Sequence, residues 1–88
     1  MRVTTWTEYS LIISLHLARR GGAQPVAARD ISAAERLPGD YVEQILLRLR
    51  RAGLVESVRG ARGGYFLARA PEKISVHDVM AACDHQIF

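Results

Sequence analysis

The chain has 88 residues, enough for one small domain around one core. Apolar residues make up 49% and charged residues 24%, which excludes a disordered chain, and the single cysteine, Cys83, excludes an internal disulfide. The formal net charge of +3 is modest, so where the charge sits says more than its size.

No charged-then-apolar leader precedes Trp6, and the aliphatic runs stop at about three residues, as in Leu11–Ile13. Neither a signal peptide nor a membrane span is expected, and the cytoplasm is the expected compartment. Thr5 and Glu8 have capping-box spacing and predict a first helix over about 6–20. Arg19 and Arg20 suit its negative end, and Gly21–Gly22 should terminate it. Tyr9, Leu11, Ile12, Ile13, Leu15, Leu17 and Ala18 cover more than one stripe of this helix. It is therefore central to the core or shared with another chain.

Pro25 keeps Gln24 extended in the connection Gln24–Val26. A second helix is expected over about 27–36, with Ala28, Ile31 and Ala34 on one side. A turn at Leu37–Gly39 leads to a third helix over about 38–52, with Pro38 as its first residue and Asp40 in its first turn. Val42, Ile45, Leu46 and Leu49 fall at i, i+3, i+4 and i+7 and predict a buried stripe. Glu43, Gln44, Leu47, Arg48 and Arg51 fall on the opposite face, placing an amide, a carboxylate and two guanidiniums in reach of a partner.

Gly53 should close the third helix. A hairpin follows over about 54–67, with strands Leu54–Val58 and Gly64–Leu67 joined by the basic turn Arg59–Gly63. Its alternation sets Val55 and Ser57 against Leu54, Glu56 and Val58, and Gly60, Gly63 and Gly64 permit a tight turn. After Pro71, Ser75 and Asp78 form a second cap pair, opening a short helix over about 76–83 with Val79, Met80 and Cys83 facing inward. The sequence stops after Ile87–Phe88 without a helix terminator and reads as cut from a longer chain.

These elements make one domain over 1–88, mainly α with a small β-hairpin: a winged helix-turn-helix. Between Arg48 and Arg69 six arginines face the single anion Glu56, a net +5, and the rest of the chain carries −2. Positive charge concentrated on a helix face and a wing marks a polyanion partner, double-stranded DNA. The glycine-rich turn lacks the Walker pattern and its strand–loop–helix order, so nucleotide binding is not expected. No nucleophile–base pair, carboxylate pair or metal-ligand spacing is present, so an enzyme is not expected either, and His77, Cys83 and His85 define no metal site. Cys83 reads as a small buried thiol.

The run Tyr41-Val42-Glu43-Gln44-Ile45-Leu46, followed by Leu49-Arg50, Ala52-Gly53-Leu54-Val55, Arg59-Gly60, Gly63-Gly64-Tyr65 and Leu67-Ala68-Arg69, resembles the IscR/NsrR-type bacterial regulators, the Rrf-two family. Val79 and the opening Met1–Thr4 with Glu8-Tyr9 fit as well, so the resemblance covers the chain in order. It implies a bacterial cytoplasmic DNA-binding transcription regulator, homodimeric when full length and often carrying an iron–sulfur cluster. By this resemblance Tyr41, Glu43 and Gln44 match the positions that face bases, and Arg59 matches the wing arginine of the minor groove. Arg48, Arg51 and Arg62 complete the expected DNA-binding set from their exposed or turn positions.

The family's cysteine-bearing loop and long dimerisation helix are absent from these residues, so no cofactor is expected within them, and a cluster is expected only if the natural chain continues beyond Phe88. Glu8 aligns with an acid that in some members helps hold the cluster of a partner subunit, but a helix cap with Thr5 is enough on its own to account for it and is the favoured reading. The expected function is a repressor answering to iron–sulfur, redox or nitrosative signals. The alternative is a protein-interaction module, a truncated member that heterodimerises without binding DNA.

Overall fold

Four side chains of one helical stripe, Val42, Ile45, Leu46 and Leu49, have no exposed surface, and the other elements close over them. The structure, a computed structural model, describes residues 5–20 and 24–84. The terminator expected at Gly21–Gly22, the opening Met1–Thr4 and the tail with His85 and Ile87–Phe88 lie outside the described residues. The elements are α1 (Thr5–Arg19), α2 (Ala28–Glu35), α3 (Gly39–Arg51), β1 (Val55–Val58), β2 (Gly64–Leu67), a 3-10 turn (Pro71–Lys73) and α4 (Val76–Asp84). This is the mainly α domain with one hairpin that the sequence predicts. None of the described helices is long and apolar enough to cross a membrane.

The stripe of α3 meets Ile13 and Leu17 of α1, Ile31 of α2, Val79 and Ala82 of α4, and Leu37, Leu54 and Val55 from the connections and the hairpin. Burying aliphatic side chains of this size contributes about 1.5–3 kcal/mol each, so the stripe is the main source of stability. The end of α3 is closed as its glycine predicts. Gly53 takes φ 80°, its N–H donates to the Arg50 carbonyl at 3.0 Å, and the Leu54 N–H donates to the Leu49 carbonyl at 2.9 Å. This double bond pattern satisfies carbonyls the helix would otherwise leave unpaired.

Several local expectations are corrected. α1 begins at Thr5, which therefore stands in the first turn rather than at the cap, and Glu8 is exposed in that turn, where the helix dipole favours it. Pro38 is the residue before α3, not its first: its ψ of 132° is extended, and Gly39 opens the helix. In α2, Ile31 is buried but Ala34 is exposed. Glu35, four residues after Ile31, faces α1 instead, and its carboxylate bonds His16 Nδ1 at 2.7 Å. α2 ends on Arg36 in the left-handed region (φ 56°, ψ 47°), a strained position for a non-glycine residue. The N–H of Leu37 donates to the Ser32 carbonyl at 3.0 Å and holds that turn.

The hairpin departs from simple alternation. β1 pairs antiparallel with β2, Val55 opposite Leu67 and Val58 opposite Gly64, yet Val55 is buried while Glu56, Ser57 and Val58 are all exposed. The side chains of β1 turn to solvent after Val55, while its partner β2 stays half-buried, with Tyr65 and Leu67 packed against the core. The root of the hairpin is anchored by the connection before α2. Val26 and Tyr65 exchange two backbone hydrogen bonds of 2.8 Å each.

α4 opens with the capping box its sequence predicts. The Asp78 N–H donates to Ser75 Oγ at 3.0 Å, and the Ser75 N–H donates to the Asp78 carboxylate at 2.9 Å. The Ser75 backbone N–H, followed by its hydroxyl, holds the Asp78 carboxyl below its ordinary value of 3.8. A carboxyl depressed on folding contributes stability above its unfolded value and loses that contribution as pH falls through the folded one. Asp78→Asn should therefore lose less thermal midpoint than the parent chain as pH falls from neutrality through and below 3.8. Equal losses in the two proteins would mean that the cap is not formed.

Candidate nucleic-acid interface

At about 100° per residue, the unburied positions of α3 fall in a definite angular order. Arg50 and Glu43 lie on the edge toward the wing, Leu47, Arg51 and Gln44 in the middle, and Arg48 and Tyr41 on the edge toward α1. Glu43, Gln44 and Arg51 are exposed as the sequence predicts, while Leu47 and Arg48 are half-buried.

The wing-side edge forms one wall of a concavity of about 450 Å³. Glu43 and Arg50 line it together with Ser57, Val58 and Arg59 of the hairpin and Arg29 of α2. An Arg50 guanidinium N–H donates to Ser57 Oγ at 3.2 Å and links the helix to the wing. Arg59 of the wing thus lines the same hollow as Glu43 of α3. Arg62 does not line this hollow; it faces the other flank of the wing.

The α1-side edge differs from its prediction. The Arg48 guanidinium lies over the Trp6 ring, 4.2 Å from its centroid, and Tyr41 meets Trp6 edge-on at 5.0 Å and Tyr9 at 5.7 Å. The negative face of the indole attracts the guanidinium, so Arg48 is held by α1 rather than projecting freely. The sequence of α3 alone carries no trace of this, because the partner is supplied by another helix. Tyr41 nonetheless keeps 40% of its surface exposed. Arg50, Ser57 and Arg29 were missed by the sequence reading. Arg50 was detectable, since it follows Glu43 by seven residues and therefore shares its helix edge.

Residues 3–87 match the model of the Rrf2 family, described as an iron-dependent transcriptional regulator. The chain belongs to the Rrf2 family. It is 38% identical over 89 residues to the HTH-type transcriptional regulator IscR of Cereibacter sphaeroides, a match covering 99% of this chain and 57% of that one. The structure of CymR, the global cysteine regulator of B. subtilis, aligns with a TM-score of 0.91 at 36% identity, over 96% of this chain and 65% of that one. IscR of T. potens aligns with a TM-score of 0.86 at 41% identity, over 93% and 60%. The Rrf2 chain described here thus spans less than two thirds of the length of these relatives. The IscR and CymR proteins are named as regulators, not enzymes. Membership and the helical, winged architecture bear out the resemblance read from the α3 and wing motifs.

An iron–sulfur cluster, which the Rrf2 resemblance implies for many members, does not fit the described residues by themselves. No three His, Cys, Asp or Glu side chains converge among them. Cys83 is 3% exposed, and its thiol is engaged with the buried Ser10 hydroxyl. Glu8 is a lone exposed carboxylate on α1.

Proposed function

We propose that this chain is the DNA-binding part of an Rrf2 transcription regulator, with α3 entering the major groove and the wing placing Arg59 in the adjacent minor groove. The observation that carries this reading is the shared hollow that Glu43 and Arg50 of α3 line together with Arg59 and Ser57 of the wing. On this reading Gln44 pairs with adenine, Glu43 accepts from cytosine N4, and Arg59 follows the enhanced negative potential of a narrow A·T groove. Tyr41 faces the bases beside them, and Arg48, Arg51 and Arg62 add contacts to the phosphate backbone. One winged domain covers too little groove for tight specific binding, so the full-length protein acts as a two-fold dimer on a pseudo-palindrome. Repression in the bacterial cytoplasm, in answer to iron–sulfur, redox or nitrosative signals, is the finer reading; the family description and the resemblance support it.

A salt-titrated binding assay tests the core of the proposal. If about four to six arginines meet phosphates in each half-site, log K should fall against log salt with a slope of roughly −4 to −5 per subunit. Site selection then separates the roles. Gln44→Ala should cost about 1–3 kcal/mol on the preferred site and relax one or two base positions. Glu43→Ala should broaden the set of bound sites, because a carboxylate near phosphates is tolerated only where it finds a donor. Arg59→Ala should weaken binding most where the flank is A·T-rich. A salt-independent response would instead favour the second reading, a heterodimerising interaction module, for which the exposed Ile12 (36%) and Leu15 (53%) of α1 supply the surface.

A further inference from the structure

A second basic hollow lies on the other flank of the wing. Arg20 just after α1, Arg29 in the first turn of α2 and Arg62 of the wing line one concavity of about 560 Å³, with Gln24 beside them and Asp30 as the only anion among the described residues that line it. All three arginines are exposed. None of their side chains forms an ion pair or hydrogen bond among the described residues. Three cations from three separate elements line this hollow, a concentration of positive charge that attracts a polyanion. The hollow is also continuous with the recognition surface, since Arg29 and Gly63 line both.

We propose that Arg20, Arg29 and Arg62 grip the phosphate backbone of DNA just outside the half-site read by α3 and the wing. This rests on the DNA-binding reading above and extends it. A strand leaving the recognition hollow passes Arg29 and meets the other two guanidiniums. The hollow spans three elements and has no enclosed polar pocket, which suits a continuous chain of phosphates better than one small anion. Contacts of this kind fix register and add affinity without reading sequence.

The test compares the full chain with the triple variant Arg20→Ala/Arg29→Ala/Arg62→Ala on a duplex selected by the parent chain, with long flanks or with about four base pairs trimmed from each side. On the long duplex the variant should bind roughly ten- to a hundredfold more weakly, with a salt slope smaller by about 3 and an unchanged base preference. Trimming should weaken the parent chain by a similar factor and leave the variant nearly unaffected. The corresponding triple lysine variant should recover most of the affinity, since a phosphate accepts a point charge, and this distinguishes lost contacts from lost folding. A variant that keeps the parent affinity and slope on the long duplex, or that changes its selected bases, overturns the flank assignment while the DNA-binding reading stands. Failure of the parent chain to bind any duplex in a salt-dependent way removes both.

Discussion

Leu46→Ala should cost the domain about 2–5 kcal/mol, the largest single loss of stability expected from one truncation here. Leu46 has no exposed surface and sits at the centre of the α3 stripe, between Val42 and Leu49. Removing its isobutyl group forfeits the transfer free energy and leaves a cavity that fixed neighbours on three helices only partly fill. A chain of this size is stable by about 5–13 kcal/mol, so the variant approaches the threshold of unfolding. Its thermal midpoint should fall by at least about 10 °C in a calorimetric or circular dichroism melt. Gln44→Ala, two residues earlier on the open face, should stay within about 0.5 kcal/mol of the parent. A mild Leu46 variant beside a damaging Gln44 variant would mean that the two faces of α3 have been exchanged.

Gly64→Ala should be nearly as damaging to the fold locally and more damaging to DNA binding. A Cβ at position 64 would stand 2.4 Å from the Val26 carbonyl carbon and 2.7 Å from the Ala27 nitrogen. Both are backbone atoms and cannot swing aside as a side chain would. The exchange of hydrogen bonds between Val26 and Tyr65 has to open to admit the methyl group. Overpacking of this kind costs about 1–3 kcal/mol, and the loosened root releases the whole wing. Binding should therefore fall further than in Arg59→Ala, which removes one side chain from an intact wing. Hydrogen exchange at the Val26 and Tyr65 amides should accelerate strongly relative to the α3 amides. Gly60 provides the control. It takes φ 113° with nothing near its would-be Cβ, so Gly60→Ala meets only backbone strain of about 1–2 kcal/mol. Equal exchange rates at Tyr65 in the Gly64→Ala variant and the parent would remove the steric account.

The fold was legible wherever a single element carried its own signal. The α3 stripe, the Gly53 helix end and the Ser75–Asp78 box all depend on residues close in sequence, and each forms as read; the hairpin forms too, but without the alternation expected of β1. What was hidden depends on which elements meet. Arg48 reads as a free cation on a helix face until Trp6 is brought beneath it. Arg36 offers no glycine or asparagine to announce a left-handed helix end. Ala34 fits the spacing of a buried side, but α2 is short and needs only Ile31 inside, so rotation toward α1 exposes it. The charge tally failed in an instructive way. The run from Arg48 to Arg69 holds the wing and helix cations, whereas Arg20 and Arg29 lie in residues 1–47, where five cations and five anions cancel. Folding sets both beside Arg62, and only the third dimension gathers that charge. The proposed base-facing roles of Tyr41, Glu43 and Gln44 came from the family resemblance; periodicity alone made Glu43 and Gln44 exposed.

The stitch between Val26 and Tyr65 has a mechanical consequence. Together with the Arg50–Ser57 bond, it makes the wing and the helix-turn-helix a single caliper whose two jaws cannot open independently. A caliper measures length. Inserting one base pair between the segments touched by the two jaws displaces them by about 3.4 Å and rotates them by roughly a tenth of a turn. A flexible wing would absorb that change, whereas this one has to break a backbone bridge to follow it. With α3 and the wing seated on DNA as proposed, the spacing between the two contacted segments becomes part of the recognised site, alongside the identity of its bases.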